Sequence, residues 1–185
     1  SGYTVSSALM GLLIKFSTQV EAKKGLRPDE LLSQLARELV SSFKESDRAS
    51  LLYAMVDCKT LDLHYSSAGM VSVYRQAEGQ DAIDFFEPLA PEFASDFKSS
   101  LTTKTLKLNS GDRLVICTPG LLDSQNDNRE AWGAGNLLDA WRSASKKGVH
   151  ELRNEILYQQ QTFLNSSEPL RDQSLIVSEV QERII

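Results

Sequence analysis

The 185 residues, 41% hydrophobic and 24% charged, suffice for a folded globule with its own core and exclude a disordered, collagen-like or low-complexity chain. With 20 basic and 25 acidic residues the net charge is -5, the wrong sign for a nucleic-acid partner, and no window approaches the roughly 20 apolar residues of a membrane span. Two cysteines, Cys58 and Cys117, come without a CxxC or Cys/His cluster, which excludes a disulfide framework and a zinc site and fits a reducing, cytoplasmic setting.

Residues 6 to 20 place Leu9, Leu12, Leu13, Phe16 and Val20 at helical spacing, with Gly25 as the stop, which predicts a helix with one buried face. Pro28 at a first helical position, followed by Asp29 and Glu30, opens a second helix whose stripe is Leu31, Leu32, Leu35, Leu39, Val40 and Phe43. The period then changes to that of strands. Leu51 to Val56 and Leu61 to Ser66 read as a β-hairpin about Asp57-Cys58-Lys59-Thr60, and Val71 and Val73 mark a further strand. A loop rich in turn formers is expected from about Glu78 to Ser100. Lys104 to Leu108 and Arg113 to Cys117 are expected to form a second hairpin about Asn109-Ser110-Gly111-Asp112, with Leu114, Val115 and Ile116 in a buried central strand. Two helices follow, one carrying Leu137, Leu138 and Trp141, the other Val149, Leu152, Ile156, Phe163 and Leu164. A last strand spans Ser174 to Val180. Strands grouped between helices, without βαβ alternation, predict an α+β sandwich.

Several local patterns then point to a family. Ser1-Gly2-Tyr3-Thr4 with Ala8-Leu9 resembles S-G-H-G-x-x-A-A-L; LDLHYSSAG, ending at Gly69, resembles a strand closing in N-A-G-H; SGDRLVICTPGL, from Ser110 to Leu121, resembles G-D-R-L-x-L-x-T-D-G-L. Trp132-Gly133 to Leu138 resembles F-G-x-x-x-L, and Arg171-Asp172-Gln173-Ser174-Leu175 resembles D-D-x-T-L. Their joint order resembles the SpoIIE/RsbU branch of the phosphatase 2C-like (PPM) metal-dependent serine/threonine phosphatases. That resemblance implies a four-layer αββα sandwich of antiparallel sheets flanked by helices, as one domain over residues 1–185 that is either the C-terminal part of a longer protein or has lost the family's N-terminal strands. It also implies phosphate-monoester hydrolysis by water held on two Mn or Mg ions, which needs carboxylate ligands.

The ligand positions carry other residues. The T-D-G aspartate falls on Pro119, which has no donor atom, and the first aspartate of D-D falls on Arg171, a cation, with Asp172 beside it on a strand-like segment. The S-G-H-G histidine and second glycine are Tyr3 and Thr4, and the histidine after Ala68-Gly69 is Met70. Hence no catalytic residue and no metal ligand is assigned. The candidate ligand or partner site comprises Gly2, Tyr3, Thr118, Pro119, Gly120, Arg171 and Asp172, with Arg171 able to pair with a remaining carboxylate or a phosphoryl group. Asp123, Asp127 and Glu130 read as a solvated acidic loop, His64 and His150 as ordinary polar positions, Cys117 as a buried structural thiol, and Trp132 and Trp141 as packing aromatics.

The expected function is a catalytically degenerate regulatory module that binds a protein partner, of the STAS-domain or anti-sigma-type class implied by the resemblance, in partner-switching control of sigma factors; homodimerisation is a further expectation. No cofactor is expected. The alternative is an active Mn- or Mg-dependent protein serine/threonine phosphatase whose ligands lie outside this chain.

Overall fold

The structure, a computed structural model, describes residues 5–165 and 167–181. Its elements are α1 (Val5–Ala22), α2 (Pro28–Leu39), a 3-10 turn (Val40–Ser42), β1 (Leu51–Val56), β2 (Asp62–Ala68), β3 (Ser72–Gln76), β4 (Ile83–Phe86), β5 (Lys104–Lys107), β6 (Arg113–Cys117), α3 (Pro119–Leu122), α4 (Gly133–Ser143), α5 (Val149–Leu164) and β7 (Leu175–Glu179). They form two compact units. One takes the chain to Val71 together with Pro88–Leu108; the other takes Ser72–Glu87 and the chain from Asn109 onward.

In the first unit, β1, β2 and β5 form an antiparallel sheet in the order β1-β2-β5. The hairpin is where the alternation puts it. Its turn closes through Asp57, whose carboxylate accepts hydrogen bonds from the amides of Lys59 and Thr60, and Leu61 takes a left-handed φ of 57°. Helix α2 starts at Pro28, and the Arg27 amide donates to Glu30 Oε2 at 2.9 Å, satisfying one of the donors a helix start leaves open. Its Leu31, Leu32, Leu35 and Leu39 are buried with Ala68 and Phe93, each such leucine contributing about 1.5–3 kcal/mol by leaving water.

Helix α1 has the expected span, but its expected buried face is not the inward one. Leu12, Phe16 and Val20 are about half exposed, whereas Ile14 and Ala22 pack against the α2 cluster and Glu21 is buried with Lys24 as its ion partner at 2.6 Å. The side chains of Leu9 and Leu13 lie outside the described residues. The inward stripe runs 14, 18, 21 and 22, on the side of the helical wheel nearly opposite the stripe that hydrophobicity alone selects.

The second unit is built on the antiparallel sheet β4-β3-β6-β7. Tyr74, Val115 and Val177 stand opposite one another across β3, β6 and β7, and their face is covered by Leu137, Ala140 and Trp141 of α4 and by Leu152 and Ile156 of α5. The buried Trp141 indole donates to Gln76 Oε1 at 2.8 Å, so this core keeps no orphaned indole N–H.

Two expectations need correction. The segment from Glu78 to Ser100 is not all loop, because β4 pairs with β3 inside it. Nor do β5 and β6 form a hairpin: β5 pairs with β2, while both edges of β6 are taken by β3 and β7. The intervening turn serves the second sheet instead, the Gly111 amide donating to Val180 O at 2.7 Å and the Val180 amide to Asp112 O at 2.9 Å.

Candidate functional site

Strand β6 carries a motif at each end. At its start Asp112 is fully buried. Its carboxylate accepts hydrogen bonds from Arg75 Nε and Nη2 at 3.0 and 2.7 Å and from the amides of Asn109 and Glu78, each at 3.0 Å. Burial pushes this carboxyl upward, but the Asn109 amide, the Arg75 guanidinium and the Glu78 amide outweigh it and hold it below its ordinary value. Three of these donors converge on Oδ2 and one on Oδ1, and with the residue fully buried no face of it is open to a ligand.

At the other end β6 runs through Cys117 into Thr118, extended at φ -82° and ψ 158°, and Pro119 opens the one-turn helix α3. The Thr118 amide donates to Ser174 O at 3.1 Å, the Ser174 amide to Thr118 Oγ1 at 2.9 Å, and Gln173 Nε2 to Gly120 O at 3.2 Å. Gly120 is buried against the 171–172 backbone, where an added Cβ would run into the Asp172 carbonyl. The chain therefore needs glycine there. This seam brings Thr118, Pro119, Gly120, Arg171 and Asp172 into one place, as the motif order implies, while Gly2 and Tyr3 lie outside the described residues. Arg171 and Asp172 sit in the bend before β7 rather than on a strand, and both are exposed.

Beside the seam is a cavity of about 260 Å³ lined by Gly120, Asp123, Gln125, Ala131, Leu170 and Arg171. Arg171 Nη1 faces Asp123 Oδ2 at 3.7 Å, with both side chains more than half exposed. Sequence reading left Asp123 in the solvated loop; its pairing with Arg171, 48 positions away, has no local signal. Other acids of that loop are engaged by other partners. Asp127 accepts from Ser167 Oγ at 2.6 Å and Asn165 Nδ2 at 3.2 Å, which lower its pKa, and Glu130 accepts from Asn126 Nδ2 at 2.8 Å. Among the described residues, no group of three or more His, Cys, Asp and Glu side chains converges as a metal cage would require.

The remaining candidates take the structural roles their patterns suggest. Cys117 is buried, and burial pushes its thiol up to about 12, so it is no nucleophile at neutral pH. His64 Nδ1 lies 2.9 Å from Thr105 Oγ1 across the β2–β5 pair, and His150 is exposed at the start of α5. Trp132 and Trp141 are buried. In the first unit, Gly69 adopts φ 82° with Ser50 and Glu92 where a side chain would stand, and its amide donates to Ala90 O at 2.9 Å; Met70 after it points to solvent.

The family model of SpoIIE, stage II sporulation protein E, matches residues 1–181. The chain belongs to the SpoIIE family. Among solved structures, this family member is similar to the PP2C domain of SiaA from Pseudomonas aeruginosa, at 19% identity and TM-score 0.76 over 97% of this chain and 72% of that one. It is also similar to the RsbU and RsbW domains of a Mycobacterium tuberculosis protein, at 18% identity and TM-score 0.80 over 98% of this chain and 49% of that one. A third likeness is to the PP2C phosphatase domain of Bacillus subtilis SpoIIE with a fragment of its regulatory domain, at 9% identity and TM-score 0.80 over 97% and 52%. The SpoIIE-family chain spans about half the length of the latter two. No curated relative matches it. These likenesses establish the phosphatase 2C-like α+β fold of two antiparallel sheets with flanking helices. Among the described residues, no helix is long and apolar enough to cross a membrane.

Proposed function

We propose that this SpoIIE-family domain is catalytically degenerate and acts in the cytoplasm as a regulatory, protein-binding module of bacterial signalling. The observation that carries the reading is the seam of Pro119 and Arg171, which occupies the positions where, by family resemblance, carboxylates hold paired Mn or Mg ions. Hard divalent cations need oxygen donors and negative charge. Pro119 offers no donor, the Arg171 guanidinium repels cations, and the Asp123 carboxylate lies 3.7 Å from that guanidinium. The described residues do not fit the metal pair, and no hydrolytic step is derived through it.

The surface left by this exchange is a cavity with a cation in its lining, suited to recognition rather than turnover. Support for a protein partner comes from the similar Mycobacterium tuberculosis structure, whose description names an RsbU and an RsbW domain together. A STAS-domain or anti-sigma-type regulator is the partner class we assign, with partner-switching control of sigma factors as the setting. We read residues 1–185 as one domain.

The test is hydrolysis of p-nitrophenyl phosphate and of a phosphoserine peptide with added Mn, beside a calorimetric titration with Mn. The expected result is no turnover above buffer and no binding heat. Mn-dependent turnover abolished by a chelator would overturn the proposal in favour of an active metal-dependent phosphatase that recruits ligands from elsewhere.

A further inference from the structure

The Arg171–Asp123 pair lies in the lining of the cavity beside the seam, so its two charged groups border the space a ligand would enter. At 3.7 Å it is beyond hydrogen-bond length, it uses one guanidinium nitrogen, and both partners are more than half exposed. Such a pair is held weakly, because water and salt screen it and two flexible side chains must be ordered to make it. Most of the guanidinium's N–H donors therefore remain available. A guanidinium fork is matched in shape by the two oxygens of a carboxylate or phosphoryl group, which it grips through parallel hydrogen bonds.

The surroundings narrow the ligand. A volume of about 260 Å³ admits a side chain and falls short of a drug-sized or nucleotide ligand. Gln125 adds an amide able to donate to an oxyanion, and Leu170, a largely exposed lining residue, offers apolar contact to residues flanking an inserted group.

We propose that Arg171 and Asp123 form an exchangeable pair, in which an oxyanion side chain of a protein partner, carboxylate or phosphoryl, displaces Asp123 from the guanidinium. Asp123 is then a built-in competitor. It occupies the receptor in the unbound protein and sets a threshold that only a better-matched or more highly charged group passes. The inference rests on the reading above only for the protein nature of the ligand; the exchange itself is a property of the two side chains and the cavity.

The experiment titrates the full chain with inorganic phosphate and with acetate, following the Arg171 Nε–H resonance and the amides of Gly120 and Gln125. Saturable shifts are expected in the parent protein. Asp123→Asn should tighten binding by about two- to fivefold, the range expected for removing an exposed ionic competitor. Arg171→Ala should abolish the Gly120 and Gln125 shifts, and the double variant should match Arg171→Ala alone. Tighter binding of phosphate assigns a phosphoryl source, and tighter binding of acetate a carboxylate source. Both substituted side chains are exposed, so the fold is retained, and unchanged circular dichroism verifies it. Affinity unaltered in Arg171→Ala, or no gain in Asp123→Asn, would overturn the exchange. Mn-dependent turnover would instead sink the degenerate reading and leave this titration as it is.

Discussion

Two arginine–aspartate pairs flank the same β-strand and have opposite character. Before β6, Arg75 meets Asp112 through two donors at 2.7 and 3.0 Å, with the carboxylate fully buried and two backbone amides donating to it as well. Beyond β6, Arg171 meets Asp123 once, at 3.7 Å and in solvent. Identical side-chain chemistry thus serves as a strut in one place and as a loose pair in the other, and burial decides which. A buried carboxylate that accepts four hydrogen bonds cannot take part in exchange; one held by a single long contact can. The strut lies in the turn that the motif comparison aligns with G-D-R-L, which that comparison would equally have allowed to be part of a site.

The sharpest way to break the contrast is to remove the strut. Asp112→Ala leaves a mostly buried guanidinium unpaired and two amides unsatisfied, for an expected loss of about 3–5 kcal/mol by urea denaturation. A pH signature accompanies it. The Asp112 carboxyl titrates lower in the folded chain than its ordinary 3.8, so its stabilisation is complete above that pH and is lost as pH falls through the lower, folded value. The stability gap between the parent and Asp112→Asn should therefore narrow below about pH 3.8; a gap that stays constant down to pH 2 would show that the network does not favour the charged form.

An intermediate effect is expected where the segment carrying Arg171 is anchored. At Gly120 a Cβ would meet the Asp172 carbonyl, a backbone atom that can yield only if the 171–174 segment shifts. Gly120→Ala should cost about 1–3 kcal/mol in thermal or urea unfolding and should raise amide exchange at Ser174, whose amide bonds Thr118 Oγ1. Protection at Ser174 equal to that of the parent would mean the seam does not depend on that close approach.

How far the sequence reached differs between these regions for physical reasons. The α2 stripe, the β1–β2 hairpin and the buried run of β6 are written in local periodicity, and for the hairpin the partner too lies one turn away. The Asn109–Asp112 turn carried an equally clear hairpin signal that was false, because turn chemistry fixes a reversal but not which strands pair across it. Strand β4 was hidden by surrounding Gly, Asp and Pro, its order coming from the β3 partner rather than from its own four residues. On α1, Leu12, Phe16 and Val20 outscored the stripe that turned inward. At the site, motif order placed Pro119 and Arg171 near each other, and the seam hydrogen bonds agree. Asp123, however, became part of the site only through a contact spanning 48 positions, which composition and spacing do not encode.

The smallest expected effect is also the most discriminating. Arg171→Ala removes a guanidinium whose single partner is solvated, so its cost should be about 0–1 kcal/mol, several times below that of Asp112→Ala. Raising salt from 50 mM to 0.5 M should shrink even that difference, since screening acts on exposed pairs and hardly on the buried one. A loss near that of Asp112→Ala, insensitive to salt, would make Arg171 a second strut and would remove the freedom on which exchange with a partner's oxyanion depends. A loss near zero leaves the guanidinium what its exposure implies, a donor set held in place by the chain around it and not needed by the fold.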